Sequence, residues 1–189
     1  MPILGIMASQ ISGHLWAPEG AYDSLATVTV PSGGVASITF AGIPTGYKHL
    51  QLRSIARSNR TSQTFDDLKF KFNGDTATTY RYHAVYGDGT SALTDTNTNN
   101  VIGAWGAGMA GAAATANNFA ASIIDILDYA NTNKNKTVRA LDGLDNNGSG
   151  LVALTSSLWT STAAINSIEI FALGTTIQQY SSFALYGIK

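Results

Sequence analysis

The chain has no cysteine, only four prolines among 189 residues, and few charges of either sign. The missing cysteines exclude disulfides and cysteine-ligated zinc, and leave cysteine usage silent about redox compartment. Charged residues make up 12% of the chain, about half the share in ordinary globular proteins. Eleven basic against twelve acidic residues leave a net charge of −1. The basic residues are scattered, so the electrostatic footprint of a nucleic-acid-binding protein is missing. No stretch approaches the ~20 apolar residues of a membrane helix. The opening MPILGIMA lacks the basic region of a signal peptide and is broken at Gly5, so neither a secretory nor a membrane address is expected. There are no heptads and no internal repeat of the kind that builds a fibre shaft or solenoid.

What stands in place of charge is Thr, Ser, Asn, Gly and Ala. Such a surface is polar but nearly neutral, and self-repulsion would scarcely oppose the packing of many copies. The length fits one domain of the larger sandwich or barrel kind. A chain of this size hides about 70% of its extended surface and needs no covalent staples.

From Ser24 onward the hydrophobic period is two. Residues 25–30 (LATVTV) and 35–40 (VASITF) are rich in β-branched side chains and joined by PSGG. They predict a hairpin with Val28, Val30, Ile38 and Phe40 inward. Residues 48–53 (KHLQLR) put Leu50 and Leu52 on one face. Residues 67–72 (DLKFKF) put Leu68, Phe70 and Phe72 in the core and Asp67, Lys69 and Lys71 in water. Further strands are expected over 119–129, 136–142, 151–160, 167–172 and 182–187, separated by Asn/Gly turns at sandwich-like spacing. Residues 79–86 fit a strand or a short helix equally. Residues 87–118 read as one long Gly/Ala/Thr/Asn excursion holding at most a short strand near 101–105. The expected fold is therefore all-β, an antiparallel sandwich of jelly-roll type in a single domain over 23–189, preceded by an arm over 1–22. The arm has no clean period. Its apolar residues Ile3, Leu4, Ile6, Met7, Ile11, Leu15 and Trp16 fit a flap over the chain's own core or a segment that docks on a neighbour.

No motif points firmly to catalysis. GAGMAG at 106–111 matches G-x-G-x-x-G, but a dinucleotide site needs a strand–helix–strand unit and strand signals flank this one, so it reads as a flexible loop. DGLDNNG at 142–148 fails the calcium-loop spacing and reads as a hairpin turn. His14, His49 and His83 lack metal-ligand spacing, and no G-x-S-x-G elbow marks a nucleophile. Asp66, Asp67, Arg57 and Arg60 border a polar stretch that could pair across subunits. Trp105, Trp159, Tyr82 and Tyr86 are the aromatic residues that could stack on a glycan, or else pack in a core or interface. No catalytic residue, metal or cofactor is expected.

The opening MPILGI, the 23–40 segment leading into Ile43-Pro44 and YKHLQLR at 47–53, DILDYANTNK at 125–134 and YSSFALYGIK at 180–189 resemble a group of small virion-associated structural proteins of tailed bacteriophages. That resemblance implies a jelly-roll-like sandwich, commonly trimeric, on the capsid surface or tail, made in the bacterial host cytoplasm. It implies no catalytic or ligand-binding residues. Its partners would be further copies of itself and the phage major capsid protein, with no nucleic acid and no membrane. The expected role is a decoration, or cement, subunit on the outer capsid, docking through the arm. The alternative is a tail-fibre, receptor-binding or adaptor component that meets a host glycan.

Overall fold

A computed structural model describes residues 20–77, 79–100, 104–173 and 175–189. Twelve strands follow one another: β1 (Tyr22–Thr29), β2 (Ser37–Ala41), β3 (His49–Ala56), β4 (Phe65–Phe72), β5 (Tyr80–Gly87), β6 (Ala92–Asn100), β7 (Ala104–Ala110), β8 (Ala120–Leu127), β9 (Lys136–Asp145), β10 (Gly150–Trp159), β11 (Ser167–Ala172) and β12 (Ser182–Ile188). There is no α-helix among the described residues. The strands form an eight-stranded antiparallel sheet, β1-β12-β3-β8-β9-β10-β5-β6, packed on a four-stranded one, β2-β11-β4-β7.

The pairs β1·β12, β2·β11, β3·β8 and β4·β7 nest one inside another along the chain. A long antiparallel ribbon rolled into two facing sheets has this order, which is the jelly roll expected from the sequence. Two further hairpins extend it. β5–β6 is inserted between β4 and β7, β9–β10 between β8 and β11, and both continue the first sheet beyond β8.

The core lies between the sheets. Leu50, Leu52, Ile124, Ile126 and Phe183 from the long sheet meet Leu68, Phe70, Phe72, Ile168 and Ile170 from the short one, all at most 1% exposed. The ring of Phe72 packs on Phe70, Tyr80 and Trp159 at centroid distances of 5.5, 6.3 and 5.5 Å. Truncating so enclosed a ring to Ala costs about 3–5 kcal/mol.

Several expectations are corrected here. The segments 25–30 and 35–40 contribute to strands β1 and β2, but they do not form a hairpin: β1 pairs β12 and β2 pairs β11 in the other sheet. The PSGG link carries the chain between sheets, and Gly34 must be glycine because a Cβ there would lie 2.7 Å from the Ile177 carbonyl oxygen at φ +73°. Residues 79–86 contain strand β5. Half of the supposed 87–118 excursion is strands β6 and β7. GAGMAG lies in β7 and its end, where Gly108 and Gly111 serve close packing: a Cβ on Gly108 would sit 2.0 Å from the Phe65 ring, and one on Gly111 2.2 Å from the Gln63 carbonyl oxygen. Lys69, placed in water by the alternation, is only 4% exposed. The β5–β6 hairpin turns over that face of β4 and covers it. Asp142, read as part of a turn, belongs to β9 and points inward, while the turn itself lies at Asn147 and Gly148, both at positive φ.

Candidate functional site

The outward face of the long sheet is unlike an ordinary water-facing β-surface. Its register aligns Arg53, Ile123, Leu141, Leu154, Val85 and Thr94 in one cross-strand row. The adjoining row runs Ile55, Ala121, Gly143, Val152, Gly87 and Ala92. Ile55, Val85, Ile123, Leu141, Val152 and Leu154 are each between 46% and 61% exposed. Neighbours on one sheet face touch across strands, so these six form one continuous aliphatic patch of a few hundred Å². Gly143 and Gly87 keep its floor flat. Toward β6 the patch runs into a shallow depression lined by His83, Val85, Thr94, Thr96, Leu154 and Ser156.

A polar row borders the patch on one side. Gln51 Nε2 donates to Asp125 Oδ1 at 2.9 Å, Arg139 Nη2 to Asp125 Oδ2 at 3.0 Å, and Arg53 Nε to Gln51 Oε1 at 2.8 Å. The Arg53 guanidinium lies 5.4 and 5.0 Å from the ring centroids of Tyr22 and Tyr186. An apolar centre with a satisfied polar rim is the anatomy of a protein-binding surface.

A second cluster of chemistry-bearing groups lies beneath the extension, where β4 and β7 meet β5, β6 and β9. Lys69 Nζ sits 3.6 Å from Asp67 Oδ2 and 5.2 Å from the Tyr82 ring centroid, and the Tyr82 hydroxyl donates to Asp95 Oδ2 at 3.0 Å. Burial lowers the Lys69 ammonium, against the Asp67 and Asp95 carboxylates that favour its charge. Burial also raises the Tyr82 phenol, helped by its bond to Asp95. Asp142 is 4% exposed. Burial pushes its carboxyl up to about 7, opposed by the Gly108 N–H and reinforced by the Asp67 charge. Its Oδ2 has no hydrogen-bond partner. Most of these groups are paired to one another, and the pairings tie β4 to β5 and β6. The opening above them is a small cleft lined by Phe65, Asp67, Tyr86, Asp95 and Leu151.

The residues singled out from the sequence scatter. Ile3, Leu4, Ile6, Met7, Ile11, Leu15 and Trp16 lie outside the described residues. Trp105 falls in β7, in register with Lys69. Trp159 is 2% exposed, stacks on Tyr80 and donates its indole N–H to Asp75 at 2.6 Å. Tyr82 is 9% exposed, and Tyr86 lines the small cleft at the opposite end of β5 from Trp159's partner Tyr80. Trp159, Tyr82 and Tyr86 thus do not make one platform. Asp66 bonds Arg60 and Thr175 within the chain, and Arg57 donates to the carbonyls of Ala112, Ala114, Thr115 and Asn118. His49 Nδ1 accepts from the Asp128 N–H, while His83 faces outward two strands beyond Arg139. No three His, Cys, Asp or Glu among the described residues are placed to hold a metal ion.

The aliphatic patch was missed in the sequence, yet a signal exists. Strands with water on one face alternate, whereas Leu151-Val-Ala-Leu154, Ile123-Ile124 and Ala84-Val85-Tyr86 are apolar on both faces. Runs of that kind belong to strands covered on both sides.

No family model and no curated sequence matches the chain. Among solved structures, the crystal structure of the marine PL-14 alginate lyase from Aplysia kurodai is similar at 8% identity and a TM-score of 0.29, over 96% of this chain and 94% of that one. So distant a likeness carries no statement about a site.

Proposed function

We propose that this chain is a non-enzymatic structural subunit of a tailed-phage virion, a decoration protein that bridges and stabilises neighbouring capsomers. The observation that carries this reading is the aliphatic patch on the outer face of a nearly neutral jelly roll. A patch of this size with a polar rim calls for a protein partner. Low charge suits a subunit packed beside many copies, and several weak contacts from one closed oligomer multiply into tight attachment. The ionisable groups of the interior support the same reading, because Lys69, Asp66, Asp67 and Asp95 are engaged in holding the fold. Attachment to a tail and recognition of a host glycan is the less supported reading, since Trp159 and Tyr82 are buried.

The reading is tested by co-sedimentation with particles assembled from the cognate major capsid protein. Full-length protein is expected to bind saturably. A chain lacking residues 1–16, and a Leu141→Asp/Leu154→Asp variant altered only on the exposed face, are expected to lose most of that binding while keeping their fold. Undiminished binding by both would overturn the assignment of arm and face to attachment, and no binding by the full-length protein would overturn decoration itself.

A further inference from the structure

We propose that the chain's own N-terminal segment, residues 1–16, covers the aliphatic patch of the long sheet in the free subunit. The proposal does not rest on the virion reading. It rests on an unpartnered face, on the composition of the segment, and on where the described chain begins.

A second copy laid face to face would press the Asp125–Arg139 row against a protein surface, and burying charge in that way is costly. A short extended segment avoids that difficulty. It covers six side chains and leaves the polar rim wet.

Residues 1–16 have the matching chemistry. They hold Ile3, Leu4, Ile6, Met7, Ile11, Leu15 and Trp16, and no Asp, Glu, Lys or Arg. Their reach is sufficient. β1 starts at Tyr22, whose register partner is Ile188, in turn opposite His49. From that row to Leu154 lie five strand spacings across the sheet and four residues along it. With strands about 4.8 Å apart and residues about 3.3 Å apart, the path is roughly 27 Å, or about nine extended residues. Nineteen residues precede Gly20, so residues 10–19 can span the gap and Ile3, Leu4, Ile6 and Met7 can lie on the patch. Tethering at this length gives an effective concentration in the millimolar range, which favours the chain's own segment over one from a dilute neighbour. The same contact can be exchanged with another copy at little net cost when copies are crowded, and such an exchange would let the arm serve as a bridge in an assembly.

The absence of native cysteine makes the test direct. Two full-length double variants, Ile6→Cys/Leu141→Cys and Ile6→Cys/Leu154→Cys, are treated with a short bismaleimide at low protein concentration. Ile6→Cys/Thr39→Cys, with the second thiol on the exposed face of β2 in the other sheet, is the control. The products are separated by mass. The expected result is a cross-link within one chain, at least about tenfold faster for the 141 or 154 pair than for the control, because all three pairs share the tether and only a seated segment holds position 6 beside 141 and 154. Cross-links mainly between chains, or equal rates for all three pairs, would overturn the proposal. A second measurement uses an environment-sensitive apolar dye. The chain lacking residues 1–16 should bind it several-fold more than the full chain, with the excess removed by Leu141→Ser/Leu154→Ser. Equal dye binding by the full and shortened chains would overturn the proposal as well. Neither readout involves a capsid, so failure here is distinct from failure of the virion reading.

Discussion

Asp142 makes stability depend on pH in a way that can be calculated before it is measured. Its carboxyl sits on the inward face of β9, 4% exposed, with Oδ2 unpartnered. Burial raises it from the ordinary 3.8 to about 7. In the unfolded chain the proton is lost near pH 4, whereas the folded chain keeps it until near pH 7. Between those values the native state binds one proton more than the unfolded state, so stability falls as pH rises. The slope is about 1.4 kcal/mol per pH unit, and the total over the window is on the order of 4 kcal/mol. Above pH 7 both states are ionised at this site and the loss levels off. Asp142→Asn keeps the shape and removes the titration. Urea unfolding, followed by tryptophan fluorescence, is run on both proteins from pH 4 to pH 8. The stability of the variant relative to the parent should climb through this window by up to about 4 kcal/mol, the other titrating groups cancelling in the difference. Parallel pH profiles for the two proteins would refute the argument that Asp142 is buried without compensation.

Two further outcomes follow from close contacts. Gly108→Ala forces a methyl against the Phe65 ring, 2.0 Å away, and the Asp142 carboxylate, 2.7 Å away; it should cost about 1–3 kcal/mol of unfolding free energy, partly recovered by adding Phe65→Ala. Arg57→Ala removes four donations to the carbonyls of Ala112, Ala114, Thr115 and Asn118. Amide exchange over 112–118 should quicken by roughly tenfold, equivalent to about 1.4 kcal/mol of lost local stability, while the β3 and β8 amides keep their protection.

The positions of the strands were legible because a period of two is written wherever one face is buried and the other wet. Leu68, Phe70 and Phe72 show it, as do Ile168 and Ile170. Pairing was not legible. Alternation assigns a face to each residue but no partner to a strand, and β1 finds β12 at the far end of the chain rather than the neighbour its turn suggested. Charged residues at inward positions misled for a physical reason. Lys136 and Asp142 stand on the inward face of β9 and break its apolar series, whereas Lys69 keeps the outer phase of β4 and is buried because β5 and β6 cover it. Lys136 is the plainest case: fully buried, its ammonium donates to the carbonyls of Asn131, Lys134 and Thr162 at 2.6, 2.7 and 3.1 Å, using all three of its donors. The outer patch was hidden by the same simplification in reverse. The strands over 136–142 and 151–160 are expected from the sequence without a facing for Leu141, Val152 and Leu154, and their outward phase is what sets these residues apart.

The central claim, that this jelly roll is a repeated structural subunit of a phage capsid, is tested most directly by cryo-electron microscopy of cognate capsids incubated with the purified protein. The account predicts added density of jelly-roll size at three-fold or quasi-three-fold positions, with the long sheet's aliphatic face or the N-terminal segment at the joint between capsomers. Capsids indistinguishable from those without the protein, under conditions where the subunit is folded and in excess, would contradict it.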